Sequence, residues 1–363
     1  MIIDIVKVFL PAVVAFILGI LITPVLTNFL YSHKMWKKRS GKTALDGSEA
    51  TVFNELHKEK EINTPRMGGI IIWFSSAAVI LGIWILSIVW PTEITVKLDF
   101  LSRSQTWVPL GTLILGALAG LFDDYLEIRG SEKINGKNGG LSLKKRLSIV
   151  FVIALACALW FYIKLDVTGI GLPFAQTLGG GELYLGPFFV ILFLGTALFI
   201  YAGGVIDGLD GLAGGVFVTM FAAYGGIAFY QQQIDLAAFC ATVAGGILAF
   251  LWFNIPPARF YMSETGTMGL TITLTIVAFM TDRLGEGYGF LVLPVIALPL
   301  VVTVLSDLIQ VLSKKYRGKK VFLVAPLHHH FEAIGWPAYK VTMRYWVISL
   351  MCAILGITLA LIG

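Results

Sequence analysis

Gly204-Val205-Ile206-Asp207-Gly208-Leu209-Asp210-Gly211-Leu212-Ala213-Gly214-Gly215 sets two carboxylates and five glycines between two long apolar runs. A charge at hydrocarbon depth is costly, so acids in such a place mark a functional site unless the stretch is a short turn facing water. Glycine at this density also lets a backbone approach a neighbour or a ligand closely. The fold therefore turns on whether the flanking runs cross a membrane, and the site on whether other polar groups gather on the same face.

The runs read as crossings. Of 363 residues, 57% are hydrophobic and only 13% charged, with a mean hydropathy of +0.83, whereas a soluble globular domain is about one quarter charged. The expected class is an all-α polytopic membrane protein, a single integral membrane domain over residues 1–363. The net charge of +5 is modest and gives no reason to expect a nucleic-acid partner. Cys157, Cys240 and Cys352 each sit inside an apolar run without paired spacing, which argues for buried thiols and against a disulfide framework or a zinc site. The first apolar run is as long as a full span and has neither a basic leader nor a small-residue cleavage site, so it reads as a retained helix.

With about 20 apolar residues per crossing, ten spans are expected at roughly 5–30, 68–90, 107–122, 147–164, 187–204, 211–230, 234–253, 268–281, 289–312 and 341–362. Runs this continuous argue for helices. Lys34, Lys37, Lys38, Arg39, Lys42, Lys58, Lys60 and Arg66 lie between the first two spans; Arg129, Lys133, Lys137, Lys144, Lys145 and Arg146 lie between the third and fourth. Lys314, Lys315, Arg317, Lys319, Lys320 and Lys340 precede the last, while the intervening loops carry few positives. Lys and Arg are retained on the cytoplasmic side, so the odd-numbered loops are expected to be cytoplasmic and both termini outside. Thr168 to Gly186, an outer loop in this scheme, reads as a β-hairpin or irregular cap.

The unusual polar residues then sort to one face. Asp123-Asp124 ends the third span, Asp207 and Asp210 follow the fifth, Glu264 follows the seventh, and His328-His329-His330 precede the tenth. All are expected at the cytoplasmic interface, which weakens the reading of the opening stretch as a mere solvated turn. Carboxylates beside many Lys and Arg suit a divalent cation and an anionic substrate together, since Mg²⁺ is usually held by one or two carboxylates plus substrate phosphates. Adjacent acids repel, so Asp123 and Asp124 call for a cation unless the helix end is simply in water. Three successive histidines cannot all point one way, so at most two can face a site. Near phosphates, such histidines suit charge stabilisation or proton transfer.

Ala325-Pro326-Leu327-His328-His329-His330-Phe331-Glu332, followed by Gly335-Trp336, resembles the histidine motif of the bacterial phospho-N-acetylmuramoyl-pentapeptide transferases, the makers of lipid I. Gly120-Leu121-Phe122-Asp123-Asp124-Tyr125, Asp207-Gly208-Leu209-Asp210-Gly211-Leu212-Ala213, Thr64-Pro65-Arg66-Met67-Gly68-Gly69, and Asn254 through Gly269 are similar to others of that family, in order along almost the whole chain. The wider superfamily of polyprenyl-phosphate N-acetylhexosamine-1-phosphate transferases shares the aspartate motifs; the histidine run favours the muramoyl branch. The resemblance implies a multi-pass protein of the bacterial cytoplasmic membrane. It would transfer phospho-MurNAc-pentapeptide from UDP-MurNAc-pentapeptide to undecaprenyl phosphate, releasing UMP, with Mg²⁺ required. Carried onto this sequence, Asp123 and Asp124 would lie near the lipid phosphate, one of them deprotonating or orienting it. Asp207 would lie beside the metal and diphosphate, and Glu264 stands where the family has a metal-binding Asp. Gly208, Leu209 and Asp210 would line the uridine pocket, with Asn254 nearby and Tyr261 in the position of the uracil-stacking aromatic. His328, His329 and His330 would serve the phosphate side, and the glycines would let backbone close on uridine and diphosphate.

The chain departs from the family pattern at several positions. Tyr201-Ala202-Gly203-Gly204 stands where the family usually reads Asn-Ala-x-Asn, and Tyr261-Met262-Ser263-Glu264-Thr265-Gly266-Thr267 replaces Phe-Met-Gly-Asp-Thr-Gly-Ser. Glu127 and Glu61 each replace a Lys, Arg66 a Thr, and Arg146 a Lys. These changes put individual contacts in doubt, and positive charge redistributed to Arg66, Lys60 and Arg146 for substrate binding is one way to reconcile them. Direct attack by the lipid phosphate and a two-step route through an aspartyl-phosphate both fit these residues. Rival functions are a GlcNAc-1-phosphate transferase on the same carrier, a weakly active paralogue that binds UDP-sugar or lipid, and an ion-coupled transporter, whose acids should sit at mid-membrane. Pro294 and Pro299 are expected to kink the ninth span and open a groove for the polyprenyl chain. The oligomeric state is open, and small-residue helix faces admit a homodimer.

Overall fold

The computed structural model describes residues 2–37, 63–102, 105–129, 140–172, 181–285 and 287–362. Its helices are α1 (Ile2–Ser32), α2 (Ile70–Val89), the short α3 (Glu93–Leu98), α4 (Trp107–Arg129) and α5 (Leu143–Lys164). A two-stranded antiparallel ladder of β1 (Gly169–Gly171) and β2 (Glu182–Tyr184) follows, with Gly169 opposite Tyr184. Then come α6 (Phe188–Ala202), which continues into a 3-10 turn (Gly203–Ile206), α7 (Leu212–Tyr230), α8 (Ile234–Asn254) and α9 (Ser263–Met280). The chain ends in α10 (Gly289–Ile296), α11 (Leu298–Arg317), α12 (Leu327–Ala333) and α13 (Ala338–Ile362).

Each of the ten apolar runs is helical, and within the expected outer loop the described ends, Gly169–Gly171 and Glu182–Tyr184, pair antiparallel. Among the described residues, eight helices are each long and apolar enough to cross a membrane, and α10 with α11, bent by 68°, is long and apolar enough only as a pair. The bend falls at Ala297, between Pro294 inside α10 and Pro299 in the first turn of α11. Proline removes an amide donor and crowds the preceding turn, which accounts for the break.

The eighth run, α9, is more polar than the rest because it carries Glu264 and five threonines, yet every one of its residues except Glu264 is buried. Protein rather than lipid surrounds it. Some of its hydroxyls return to the helix itself, as Thr271 to the Thr267 carbonyl at 2.7 Å and Thr275 to the Thr271 carbonyl at 3.1 Å. α4 lies antiparallel along it, with Thr112 beside Thr273, Gly116 against Gly269 and Gly120 against the Glu264 carbonyl. A Cβ at Gly116 or Gly120 would strike backbone, so glycine is what lets α4 come this close. Elsewhere α1 runs parallel to α8, with Gly19 at Ala249 and Ala12 at Gly245, and α7 runs parallel to α13, with Gly215 at Trp346 and Thr219 at Ser349. These directions alternate along the chain as successive crossings require.

The two ends of the bundle differ. At one, Lys7 pairs with Asp235 at 2.6 Å, and the buried Asp282 accepts from Gly171 N–H (2.7 Å) and Phe290 N–H (3.0 Å), fastening the β-ladder to the α9–α10 junction. The candidate site lies at the other. All three cysteines are free and buried, as their scattered placement predicts.

Candidate active site

The first turn of α9 organises the site. A helix N-terminus presents amide donors that have no partner within the helix, and its dipole favours negative charge there. Two carboxylates from distant segments answer it. Asp207, after the 3-10 turn, accepts from Ser263 N–H at 2.7 Å; Asp124, near the end of α4, accepts from Thr265 N–H at 2.9 Å and from the Thr265 hydroxyl at 2.5 Å. Glu264 stands between the two donor residues, Ser263 and Thr265. The segment Thr64 to Gly69 docks on the same turn: Gly68 N–H donates to the Tyr261 carbonyl at 2.8 Å, Tyr261 N–H to the Pro65 carbonyl at 2.9 Å, and Gly69 abuts the Gly266 backbone. That docking carries Arg66 to Ser263, whose hydroxyl accepts from Arg66 Nε at 3.2 Å.

Asp123 and Asp124 are both 0% exposed, so the alternative of a helix end in water does not hold. Asp123 Oδ1 accepts from Leu141 N–H at 2.5 Å, and its Oδ2 lies 3.3 Å from Arg146 Nε. Asp124 Oδ1 lies 3.8 Å from Arg66 Nε. Each aspartate thus uses one oxygen on backbone and turns the other, without a hydrogen bond among the described residues, towards an arginine. Each arginine is in turn held by a glutamate. Arg146 Nη1 meets Glu264 Oε1 at 2.6 Å, with the Tyr201 hydroxyl 3.4 Å from Glu264 Oε2, and Arg66 Nη1 meets Glu127 Oε2 at 2.6 Å. Lys37 adds a second cation to Glu127 at 2.9 Å. The residues that depart from the family pattern are therefore one another's partners: Arg66 with Glu127, and Arg146 and Tyr201 with Glu264.

The loop from Asp207 to Gly211 is closed from the other side by α12 and α13. His328 and His329 are buried with ring centroids 4.3 Å apart, and the Nε2 atoms of both lie 2.6 Å from where a Cβ on Gly208 would stand. His329 Nδ1 pairs with Glu332 Oε2 at 2.7 Å. His330 turns away, its Nδ1 accepting from Leu323 N–H at 3.2 Å, so two histidines face the loop and the third does not. Asn254 joins two loops, its carbonyl accepting from Gly211 N–H at 3.0 Å and its amide donating to the Phe260 carbonyl at 2.8 Å. Asp210 accepts from Ala258 N–H at 3.2 Å, and Leu209 is buried. Gly211 has φ +77°, and Gly215 seats the Trp346 indole, whose Nε1 donates to the Gly211 carbonyl at 3.0 Å. Part of the glycine richness thus serves packing against Trp346 and the histidines. Lys60 lies outside the described residues.

Among the described residues no cluster of three or more His, Cys, Asp or Glu side chains gathers at metal-binding distance. Two carboxylates, Asp207 and Glu264, do converge on the first turn of α9, and a pair of hard oxygen donors is the protein share that Mg²⁺ commonly takes when phosphates complete its shell.

Residues 106–282 match the model of glycosyl transferase family 4. A phospho-N-acetylmuramoyl-pentapeptide-transferase of Chloroflexus aggregans is 33% identical over 99% of this chain and 91% of its own length. Enzymes of the same name from Listeria innocua (32% identical; 95% of each chain) and Lactobacillus acidophilus (31%; 93% of this chain and 94% of theirs) are similar to it throughout. The chain belongs to the phospho-N-acetylmuramoyl-pentapeptide-transferase family. As a transferase of that family it brings together Arg66, Asp123, Asp124, Arg146, Asp207 and Glu264 around one helix start, and His328 and His329 around Gly208. Reasoning from sequence named these but missed Ser263, Thr265, Tyr201 and Glu332 as their partners. Glu332, three residues after His329 on one helix, carried a signal in its spacing; Ser263 and Thr265 act through backbone donors as well as hydroxyls, and the backbone part is announced by no side-chain pattern.

Proposed function

We propose that this transferase moves phospho-MurNAc-pentapeptide from UDP-MurNAc-pentapeptide to undecaprenyl phosphate in the bacterial cytoplasmic membrane, giving lipid I and UMP for peptidoglycan synthesis. The observation that carries the reading is the convergence of the motifs at residues 64–69, 120–125 and 207–213 on the first turn of α9, with the histidine motif closing on Gly208 beside it. Both substrates are anions, so their approach needs fixed positive charge and alignment more than covalent help. Arg66, Arg146 and the positive end of α9 supply that charge in a water-poor setting, where it counts for more. Asp123 Oδ2 and Asp124 Oδ1 are the oxygens to orient the acceptor phosphate. One of its oxygens bonds to the sugar-bearing phosphorus, and UMP leaves with the bridging oxygen. Gly208, Leu209 and Asp210, with Tyr261 beyond Asn254, form the uridine edge, and His328 and His329 face the diphosphate. Asp207 and Glu264 would hold Mg²⁺, which supplies charge neutralisation on the diphosphate when bound. A homodimer through small-residue helix faces belongs to the same reading.

The test is UMP release by the purified chain with both substrates and Mg²⁺. Release that stops with chelator, returns with Mg²⁺ and is not supported by UDP-GlcNAc is expected. Equal turnover of UDP-GlcNAc would move the assignment to the hexosamine branch, and no release with any divalent metal despite bound substrate would reject transfer altogether.

A further inference from the structure

Glu127 lies one turn beyond the acid pair on α4, and the reaction as described does not use it. Its side chain is 11% exposed and receives Lys37 Nζ at 2.9 Å and Arg66 Nη1 at 2.6 Å. A guanidinium beside a carboxylate favours a two-point fork, both oxygens taken by parallel N–H donors. Arg66 does not make that fork with Asp124. Among the described residues its short ion pair is to Glu127, its Nε donates to Ser263 Oγ at 3.2 Å, and Asp124 Oδ1 stays 3.8 Å away without a hydrogen bond. The other oxygen of Asp124 is already held by Thr265. An Arg66 released from Glu127 would close on Oδ1 and leave Asp124 no oxygen for a substrate.

We propose that Glu127 is a positioning residue that holds Arg66 off Asp124, so that the guanidinium charge stays beside the acid while Oδ1 remains available to the hydroxyl of an acceptor phosphate. The proposal rests on the transfer reading above. Lys37 fits the same arrangement, because a second cation on Glu127 fixes its carboxylate where it holds Arg66. A purely structural Glu127, clamping the chain at Lys37 and Arg66, would affect melting temperature and leave catalysis alone.

Steady-state UMP release by the full-length chain separates these. Glu127→Gln should lower kcat by about tenfold or more while KM for both substrates stays within about threefold, the pattern of a group misplaced at the reacting centre. Glu127→Asp should recover part of the rate, and in an Arg66→Met background Glu127→Gln should cost nothing further. A wild-type kcat in Glu127→Gln, or losses that multiply in the double variant, would overturn the role of Glu127. If Glu127→Gln does not fold, Arg66→Met/Glu127→Met, which removes both buried charges together, is compared with Arg66→Met: equal rates support the proposal and a further fall overturns it. A wild-type chain that releases no UMP rejects the transfer reading, whereas an active wild type with an unmoved Glu127→Gln rejects this inference alone.

Discussion

Arg146 is shared by Asp123 and Glu264, at 3.3 and 2.6 Å, so the acid proposed to face the acceptor and the acid proposed for the metal are tied through one guanidinium. Asp123→Asn keeps an oxygen for Leu141 N–H and removes the charge that Arg146 answers. Folding should survive, while UMP release falls by about a thousandfold, within the range for loss of a proton-handling group. A rate near wild type would remove the acid pair from the mechanism. Among the histidines the geometry sets a ranking. His329, against Gly208 and braced by Glu332, should cost far more turnover when changed to Ala than His330, whose imidazole is directed to Leu323 N–H. Kinetics of the two variants side by side check the order, and an equal loss would contradict it.

At the scale of elements, the site depends on how closely α4 lies against α9. A Cβ on Gly120 would meet the Glu264 carbonyl and, at 2.8 Å, Thr265 N, both backbone that cannot swing aside. Gly120→Ala should therefore destabilise the chain by about 1–3 kcal/mol, as overpacking does, and depress turnover by shifting Glu264. Gly82→Ala in α2, where a new Cβ meets nothing within 4 Å, is the control and should leave the melting temperature level or slightly raised. Apolar runs made the helices legible in the sequence, and two prolines marked the bend at Ala297, because both signals are local. The acids, arginines and histidines were legible as types gathered on one face. Their pairing was not: Arg66 reaches Glu127 only after Gly69 lets its segment dock on Gly266, and Asp124 and Asp207 find backbone donors that carry no sequence label. The glycines of the opening stretch were read as room for a ligand, and Gly215 proved to be room for Trp346.

For the whole molecule, the charge pattern predicts that the end bearing the site faces the cytoplasm. The native cysteines are buried, so single introduced thiols report cleanly. Glu182→Cys on the exposed β2 should react with an impermeant maleimide in intact cells, and Lys315→Cys on the exposed end of α11 only after permeabilisation; the reverse order would invert the topology. The same orientation, where it holds, sets where a polyprenyl chain would run. α11 is turned 68° from α10, and Leu305, Leu308, Ile309 and Leu312 are exposed along it. Yet α11 starts with Leu300 against Gly203, just before the Asp207 loop, and Ser306 Oγ accepts from Leu327 N–H at 3.0 Å at the start of the histidine helix. An apolar tail lying along α11 would thus lead its phosphate to the end of the bundle that carries the site, towards Asp123 and Asp124, while its carbons stay in lipid. A polyprenyl phosphate with a photoreactive group near its head should crosslink to α10 and α11, and unlabelled carrier should compete the crosslink away. Labelling concentrated instead on the β1–β2 cap would place the carrier at the wrong end of the bundle and separate the bend from catalysis.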